Sequence, residues 1–367
     1  MIKLSQFLYK NKDKTIILIN NNKEIDNLMN SLKKFLINQK INSKINYLSY
    51  NQINIKKNNK IIQENIFIIE DTPSNKIYCK DNKLNYFLIS KHSLEAIDNF
   101  INTKYINEIE ININDHCNLK CKSCSHYSNL AYEHYLDINI FEKDIKRISE
   151  LIDENTKLFI FGGEPLLVNN IIDYLKILKQ YLPNNYLEIR SNGILLIENK
   201  ENYDELLNYC QKNNIVIGIS VYPINDKYIK DLKNLELELN KVKIKTNFIW
   251  FQHDKLFSKD KRFLNKNLKI NKYDYIGCIG NYAPIAVLKE GKIYHCPICA
   301  YIKYFNEYFK VNLETLNEDY IDIYQVNSAQ EIIDFLLKPT PFCNYCDVQN
   351  RTLEKWNLSE FKIDEYI

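Results

Sequence analysis

The sequence predicts an α/β protein centred on a partial (β/α)6 barrel of the TIM type, with a smaller α/β domain before it and a cysteine-rich segment after it. Three observations carry that prediction. Between about 105 and 255, short apolar runs alternate regularly with amphipathic stretches. Several of those runs are apolar on both faces, as expected of parallel strands covered by helices. The chain has 367 residues, enough for a barrel-sized core with additions.

Residues 1–103 hold the first α/β set. Thr15–Ile19 reads as a strand, Glu24–Asn38 as an amphipathic helix, and Ile45–Leu48, Ile66–Ile69 and Tyr86–Ile89 as further strands. The alternation fits a Rossmann-like layout. None of the seven glycines lies in the first 161 positions, which removes a Walker loop and a GxGxxG fingerprint from this part. A docking or partner-recognition role is the plainer expectation for it.

Residues 104–265 hold the barrel. Strands are expected at Glu108–Ile113, Lys157–Phe161, Tyr186–Ser191, Ile215–Val221 and Ile244–Phe251. Helices are expected at Ile140–Ile152, Ile171–Leu182, Asn202–Gln211 and Lys227–Leu237, the first with Ile145, Ile148, Leu151 and Ile152 on one face. Right-handed βα repeats of this kind close into full or partial barrels, whose active sites lie at the C-terminal strand ends.

Residues 266–367 change texture. Ile285–Leu288 and Lys292–His295 suggest a β-hairpin turning at Glu290-Gly291. Helical stretches follow at about 300–309 and 329–338, then Cys343-Asn344-Tyr345-Cys346 and a polar tail with Trp356.

Composition excludes some function classes. A formal net charge of +3 does not suggest a nucleic-acid partner. The Lys, Asn, Ile and Tyr richness runs through the whole chain and reads as base-composition bias. No apolar run approaches the ~18 residues of a membrane span, and Met1–Ser5 lacks a signal-peptide core, so a cytoplasmic location is expected. Ten cysteines in such a chain point to metal or redox use rather than to a disulfide framework.

The chemistry concentrates at strand ends. Cys117, Cys121 and Cys124 form a C-x3-C-x2-C loop directly after the 108–113 strand. Three thiolates on one loop can ligate three irons of a cubane and leave the fourth open. They suit zinc as well, with His116 or His126 as a fourth ligand. One βα unit later a strand ends in Gly162-Gly163-Glu164-Pro165, where glycines permit close backbone approach and a carboxylate answers a cation. The next two strands end in Arg190-Ser191-Asn192-Gly193 and Ser220-Val221-Tyr222-Pro223. Downstream, Cys296-x2-Cys299 and Cys343-x2-Cys346 have zinc-ribbon spacing but leave Cys278 unused. Cys79 and Cys210 read as buried small apolar groups. His92, His134 and His253 read as structural.

Together the C-x3-C-x2-C loop and the GGEP strand end resemble the signature of the radical S-adenosylmethionine (radical SAM) superfamily, over about residues 105–350. That resemblance implies a [4Fe–4S] cluster on Cys117, Cys121 and Cys124, and S-adenosylmethionine held by Gly162, Gly163, Glu164 and Pro165. It also implies contacts from Ser191, Asn192 and Ser220 to the cofactor and from Tyr222 to the substrate. Ser123 departs from the aromatic residue common before the third cysteine, and Tyr127 would compensate near adenine. Cys278, then Gly291 with four residues before Cys296, resembles the C-x(9–15)-G-x4-C opening of SPASM and Twitch extensions. With Cys343 and Cys346 this implies one auxiliary [4Fe–4S] cluster, Twitch-like, with Cys299 left over.

The implied reaction is reductive cleavage of S-adenosylmethionine to a 5′-deoxyadenosyl radical that abstracts hydrogen. The auxiliary cluster would accept an electron, giving net oxidation of a sugar-like or glycan-precursor substrate, with a flavodoxin- or ferredoxin-type electron donor. Two other readings are a ribosomal-peptide maturase, whose relatives usually carry an N-terminal winged helix, and a non-catalytic zinc-stabilised binding module.

Overall fold

The structure is a computed structural model that describes residues 7–8, 11, 14–19, 26–38, 45–48, 65–81, 83–250, 259–261, 264–270, 278, 285–348 and 352–367. They fall into two compact units. One comprises Met1–Lys104, Ile270–Pro284 and Leu337–Gln349; the other comprises Tyr105–Lys269, Ile285–Leu336 and Asn350–Ile367.

The first unit holds a four-stranded sheet of β1 (Thr15–Ile19), β2 (Ile45–Leu48), β3 (Asn65–Glu70) and β4 (Tyr86–Ile89). The strands run in the order β2-β1-β3-β4, all parallel. Continuous apolar runs suit parallel strands buried on both faces, and Ile16–Ile19 and Ile66–Ile69 are buried throughout. Helices α1 (Asp26–Asn38), α2 (Pro73–Asp81) and α3 (Lys91–Ile101) flank the sheet. Helix α1 buries Met29, Leu32, Phe35 and Leu36, and its Ser31 hydroxyl donates to Asp98 of α3 at 2.5 Å. The Rossmann-like expectation is met. Positions 24 and 25, expected to open the first helix, lie outside the described residues.

The second unit is built on β5 (Glu108–Asn112), β6 (Lys157–Phe161), β7 (Leu187–Ser191), β8 (Val216–Val221) and β9 (Thr246–Trp250), which pair in sequence order and in parallel. The crossovers are α4 (Ile138–Ser149), α5 (Ile171–Tyr181), the short α6 (Ile194–Glu198) with α7 (Asp204–Lys212), and α8 (Asp226–Lys241). Helix α4 starts two residues earlier than its apolar spacing suggests, because Asp137 caps it by accepting from Asn139 and Ile140 N–H. It buries Phe141, Ile145 and Ile148, each worth about 2 kcal/mol. Short β10 (Lys259–Lys261) pairs antiparallel with β14 (Thr352–Glu354).

A sixth parallel strand, β11 (Ile285–Lys289), joins beside β5 rather than beyond β9. Antiparallel β12 (Lys292–Tyr294) and β13 (Tyr320–Asp322) extend the sheet to eight strands. Among the described residues β9 and β13 are its two edges, so the barrel is partial and open. Glu290 (φ 49) and Gly291 (φ 74) make the two-residue hairpin turn expected at that dipeptide. The Gly291 N–H donates to the buried Asp144 carboxylate at 2.7 Å, tying the turn to α4. Helices α9 (Pro297–Ala300), α10 (Ile302–Phe309) and α11 (Ala329–Leu336) complete the unit.

Strand alternation divides the sheet's two faces. Ile109, Ile111, Leu158, Ile160, Leu187, Ile189, Ile217 and Ile219 are all buried on one face. The other carries cross-strand rows that include Glu110, Phe159 and Glu188, then Phe161 beside Asn112, then Arg190, Gly218 and Asn247. The expectation of strands apolar on both faces therefore holds for β6 and fails for β5 and β7. No helix among the described residues is long and apolar enough to cross a membrane.

Candidate functional site

The loops after β5 and β6 zip together. The Gly163 N–H donates to Asn114 O and the Glu164 N–H to His116 O, both at 3.1 Å. The Asn114 amide closes the pair by donating to His116 O at 3.0 Å and Glu164 O at 3.1 Å. A Cβ on Gly162 would stand 1.8 Å from Asn114 Oδ1, and one on Gly163 would stand 2.0 Å from His116 O. The glycines thus admit the backbone that leads into the cysteine loop.

Glu164 is the hub. Its carboxylate accepts from Leu166 N–H at 3.1 Å, Ser191 Oγ at 2.7 Å and Asn192 N–H at 2.8 Å. Its exposure is 1%. Burial raises its pKa to about 7, against these three hydrogen bonds, which lower it. Ser191 Oγ also accepts from Gly193 N–H, and Tyr228 OH donates to Asn192 O at 2.7 Å. Asn192 Nδ2 reaches Asn118 Oδ1 at 2.8 Å and the Cys117 sulfur at 3.8 Å. The GGEP and SNG strand ends and the first cysteine therefore form one bonded assembly. Pro165 begins the 3-10 turn that Glu164 caps.

The three thiols lie close enough to act on one another. Burial, then the Glu164 carboxylate, then Cys121 and Cys124 hold the Cys117 thiol well above its usual range. A cation bound among them would draw it back down. Tyr222 faces the same group: burial and then the three thiols raise its phenol well above the usual range. Ser220 is half-buried on β8, two residues before Tyr222. Among the described residues no three His, Cys, Asp or Glu side chains gather as ligands of one ion. A cubane makes a different demand, since each thiolate binds its own iron. Cys117, Cys121 and Cys124, on one short loop in mutual electrostatic contact, fit that demand. The two proposed zinc histidines are engaged elsewhere. His116 Nδ1 faces the His134 N–H, and His126 stacks on Phe161 with Nε2 3.4 Å from Glu110.

The 356–366 segment straps this loop, which no spacing in the sequence signals. Lys122 N–H donates to Asn357 O at 2.9 Å, Ser359 N–H to Lys120 O at 2.8 Å, and Ser123 Oγ to Glu365 O at 2.5 Å. Trp356 packs on Tyr222 with ring centroids 5.7 Å apart. Tyr127, expected near adenine, is fully buried between Phe305 and Tyr366.

The remaining predicted residues divide between the two units. Cys278, Cys343 and Cys346 belong to the first unit, Cys296 and Cys299 to the second. Cys343 and Cys346 are buried on one 3-10 turn, and Cys296 precedes α9. Cys79 and Cys210 are fully buried, and burial pushes their thiols up to about 11 and about 12, as fits small apolar groups. His134 Nδ1 lies 3.2 Å from the buried Asp115 carboxylate. His253 and the His92 side chain lie outside what the structure describes.

Comparison with known proteins gives one family. Residues 111–271 match the family model described as the Radical SAM superfamily. The GTP 3',8-cyclase of Nautilia profundicola is 30% identical over 103 residues, 28% of this chain and 32% of that protein. The radical SAM cyclopropyl synthase TigE of Paramaledivibacter caminithermalis is 26% identical over 253 residues, 62% of this chain and 49% of that protein. The chain thus spans about a third of the cyclase's length and about half of the synthase's. BtrN, solved in complex with AdoMet and 2-DOIA, superposes with a TM-score of 0.42 at 18% identity, over 72% of this chain and 98% of that one.

Proposed function

We propose that this chain, whose residues 111–271 match the Radical SAM superfamily model, is a radical SAM enzyme that oxidises a sugar-like or glycan-precursor small molecule. The observation that carries the reading is the bonded assembly of Cys117, Glu164, Ser191 and Asn192 at the C-terminal ends of parallel strands, with Tyr222 facing the thiols.

Cys117, Cys121 and Cys124 would hold the first [4Fe–4S] cluster, and Cys278, Cys296, Cys343 and Cys346 are the ligands proposed for an auxiliary one. Bound there, the first cluster with S-adenosylmethionine would supply radical chemistry for hydrogen abstraction, and an auxiliary cluster would supply a one-electron acceptor. The chain's own residues bind and orient. The Glu164 carboxylate, with the strand end Gly162–Pro165, receives the methionine ammonium, and Ser191, Asn192 and Ser220 line the cofactor's path. Tyr222, backed by Trp356, presses on the substrate and helps exclude water. The domain division at 103 and 265, a flavodoxin- or ferredoxin-type donor and a cytoplasmic location complete the reading.

The polar face of the large sheet, which carries Glu110, Asn112 and Arg190, supports a hydroxylated small molecule over a peptide. Both polar atoms of Asn112 and Arg190 Nε are buried there without a hydrogen-bond partner in the protein, a cost of about 1–3 kcal/mol each that a polar ligand relieves. The all-parallel sheet of the first unit is also unlike a winged helix. The test is anaerobic turnover of cyclic polyols and amino sugars. 5′-Deoxyadenosine and a ketone product are expected in equal amounts. With Cys278, Cys296, Cys343 and Cys346 replaced by alanine, S-adenosylmethionine cleavage should persist while oxidation stops. Continued oxidation by that variant would sink the two-cluster reading.

A further inference from the structure

A cavity of about 360 Å³ lies at the hairpin end of the large sheet, outside the thiol assembly. Its floor is set by strand register. Lys289 of β11 stands directly opposite Lys292 of β12, Val287 opposite Tyr294, and Tyr294 opposite Tyr320 of β13. Directly paired residues share a face, so Lys289, Lys292, Tyr294 and Tyr320 look into one space, and Lys303 of α10 lines it as well. Like charges directly opposite on a sheet destabilise it, and this pair is reinforced by a third ammonium.

Of the nearby carboxylates, Glu290 lines the cavity, while Asp115 and Asp322 stand outside its lining. Asp115, 4% exposed, is shared. Its carboxylate lies 3.2 Å from Lys289 Nζ and 3.9 Å from Lys303 Nζ, and it accepts from Tyr304 OH. The Lys289 ammonium also sits over the Tyr301 ring at 3.7 Å. Burial draws it down to about 8 despite Asp115. Lys292 has the Tyr320 ring at 4.0 Å and Asp322 directly opposite it on β13, and the carboxylate that lines the cavity, Glu290, is exposed on the turn. The cavity lining thus carries three ammonium groups and one carboxylate, Glu290, with Asp115 behind Lys289 and Asp322 opposite Lys292.

We propose that this cavity is an oxyanion site that takes the phosphate or carboxylate group of a small molecule between Lys292 and Lys303, with Lys289 behind them. Two ammonium groups on one oxyanion give charge-assisted hydrogen bonds, and Tyr294 and Tyr320 line the same cavity. This assignment does not depend on the thiol site.

The test is calorimetric titration of the full chain with inorganic phosphate and, separately, with glutarate. Saturable binding of at least one probe is expected. Lys292→Gln and Lys303→Gln should each weaken it about tenfold, one lost charged contact. Glu290→Gln should tighten it, and Lys176→Gln, on the exposed face of α5, should leave it unchanged. Phosphate alone, glutarate alone or both would name the anion's source, and each supports the site. Retained thermal unfolding transitions in the two weakening variants would separate lost binding from lost fold. No saturable binding of either probe, or equal weakening by Lys176→Gln, would overturn the assignment.

Discussion

Gly163→Ala is expected to strip iron from the first cysteine loop and to lower 5′-deoxyadenosine formation by at least ~100-fold, or about 2.7 kcal/mol in the barrier. The new methyl would lie 2.0 Å from His116 O and 2.2 Å from its carbonyl carbon, with Cys117 N at 2.7 Å. These are backbone atoms, so no rotamer change relieves the clash. The Gly163 and Glu164 N–H bonds to Asn114 and His116 must open, and overpacking of this kind costs about 1–3 kcal/mol before those bonds are counted. Cys117 is carried away from Asn192 as the loop leaves the strand end. Iron analysis of anaerobically purified protein, with 5′-deoxyadenosine quantified from the same preparation, checks both halves. Normal iron content with normal cleavage would show that the two loops need not touch.

Glu164→Gln is expected to abolish a pH dependence and to weaken S-adenosylmethionine binding together. Burial lifts the Glu164 carboxyl from 4.5 to about 7. A carboxyl raised on folding contributes stability that is fully present below the unfolded value and is lost as pH rises through the folded one. In cofactor-free, iron-free protein about 3 kcal/mol should therefore disappear between about pH 4.5 and about pH 7. The amide is neutral throughout, so its stability should be flat across that window. It also turns an N–H donor toward the Asn192 N–H, which now finds an acceptor at 2.8 Å. Loss of the charge should cost the methionine ammonium about 1.5–3 kcal/mol, roughly 10- to 150-fold in affinity. Thermal unfolding against pH reads the first effect and equilibrium binding the second. A wild-type profile as flat as the variant's would contradict the buried-carboxylate account.

Much of the fold was legible because the strands are local patterns. Thr15–Ile19, Ile45–Leu48, Tyr86–Ile89 and Lys157–Phe161 lie where their apolar runs end, and the Glu290-Gly291 turn follows from a single dipeptide. Helix ends were less legible. Asp137 caps α4 through its side chain, a preference that apolar periodicity does not carry. The polar face of the sheet was visible as the alternation Glu108-Ile109-Glu110-Ile111-Asn112, which a search for continuous apolar runs passes over. The three first-loop cysteines and Glu164 were legible because each ends or follows a strand. Their supports were not. Ser123 and Glu365, or Asp115 and Lys289, meet across long stretches of chain, and nothing local in either partner encodes the meeting.

The central claim is that Cys117, Cys121 and Cys124 hold the cluster that cleaves S-adenosylmethionine. The most direct test compares iron, acid-labile sulfide and 5′-deoxyadenosine in wild type and in the Cys117→Ala/Cys121→Ala/Cys124→Ala variant, both reconstituted anaerobically. The account predicts about eight irons per chain falling to about four, one cubane's worth, with cleavage lost entirely. Undiminished iron, zinc in place of iron, or persistent 5′-deoxyadenosine in the variant would contradict it.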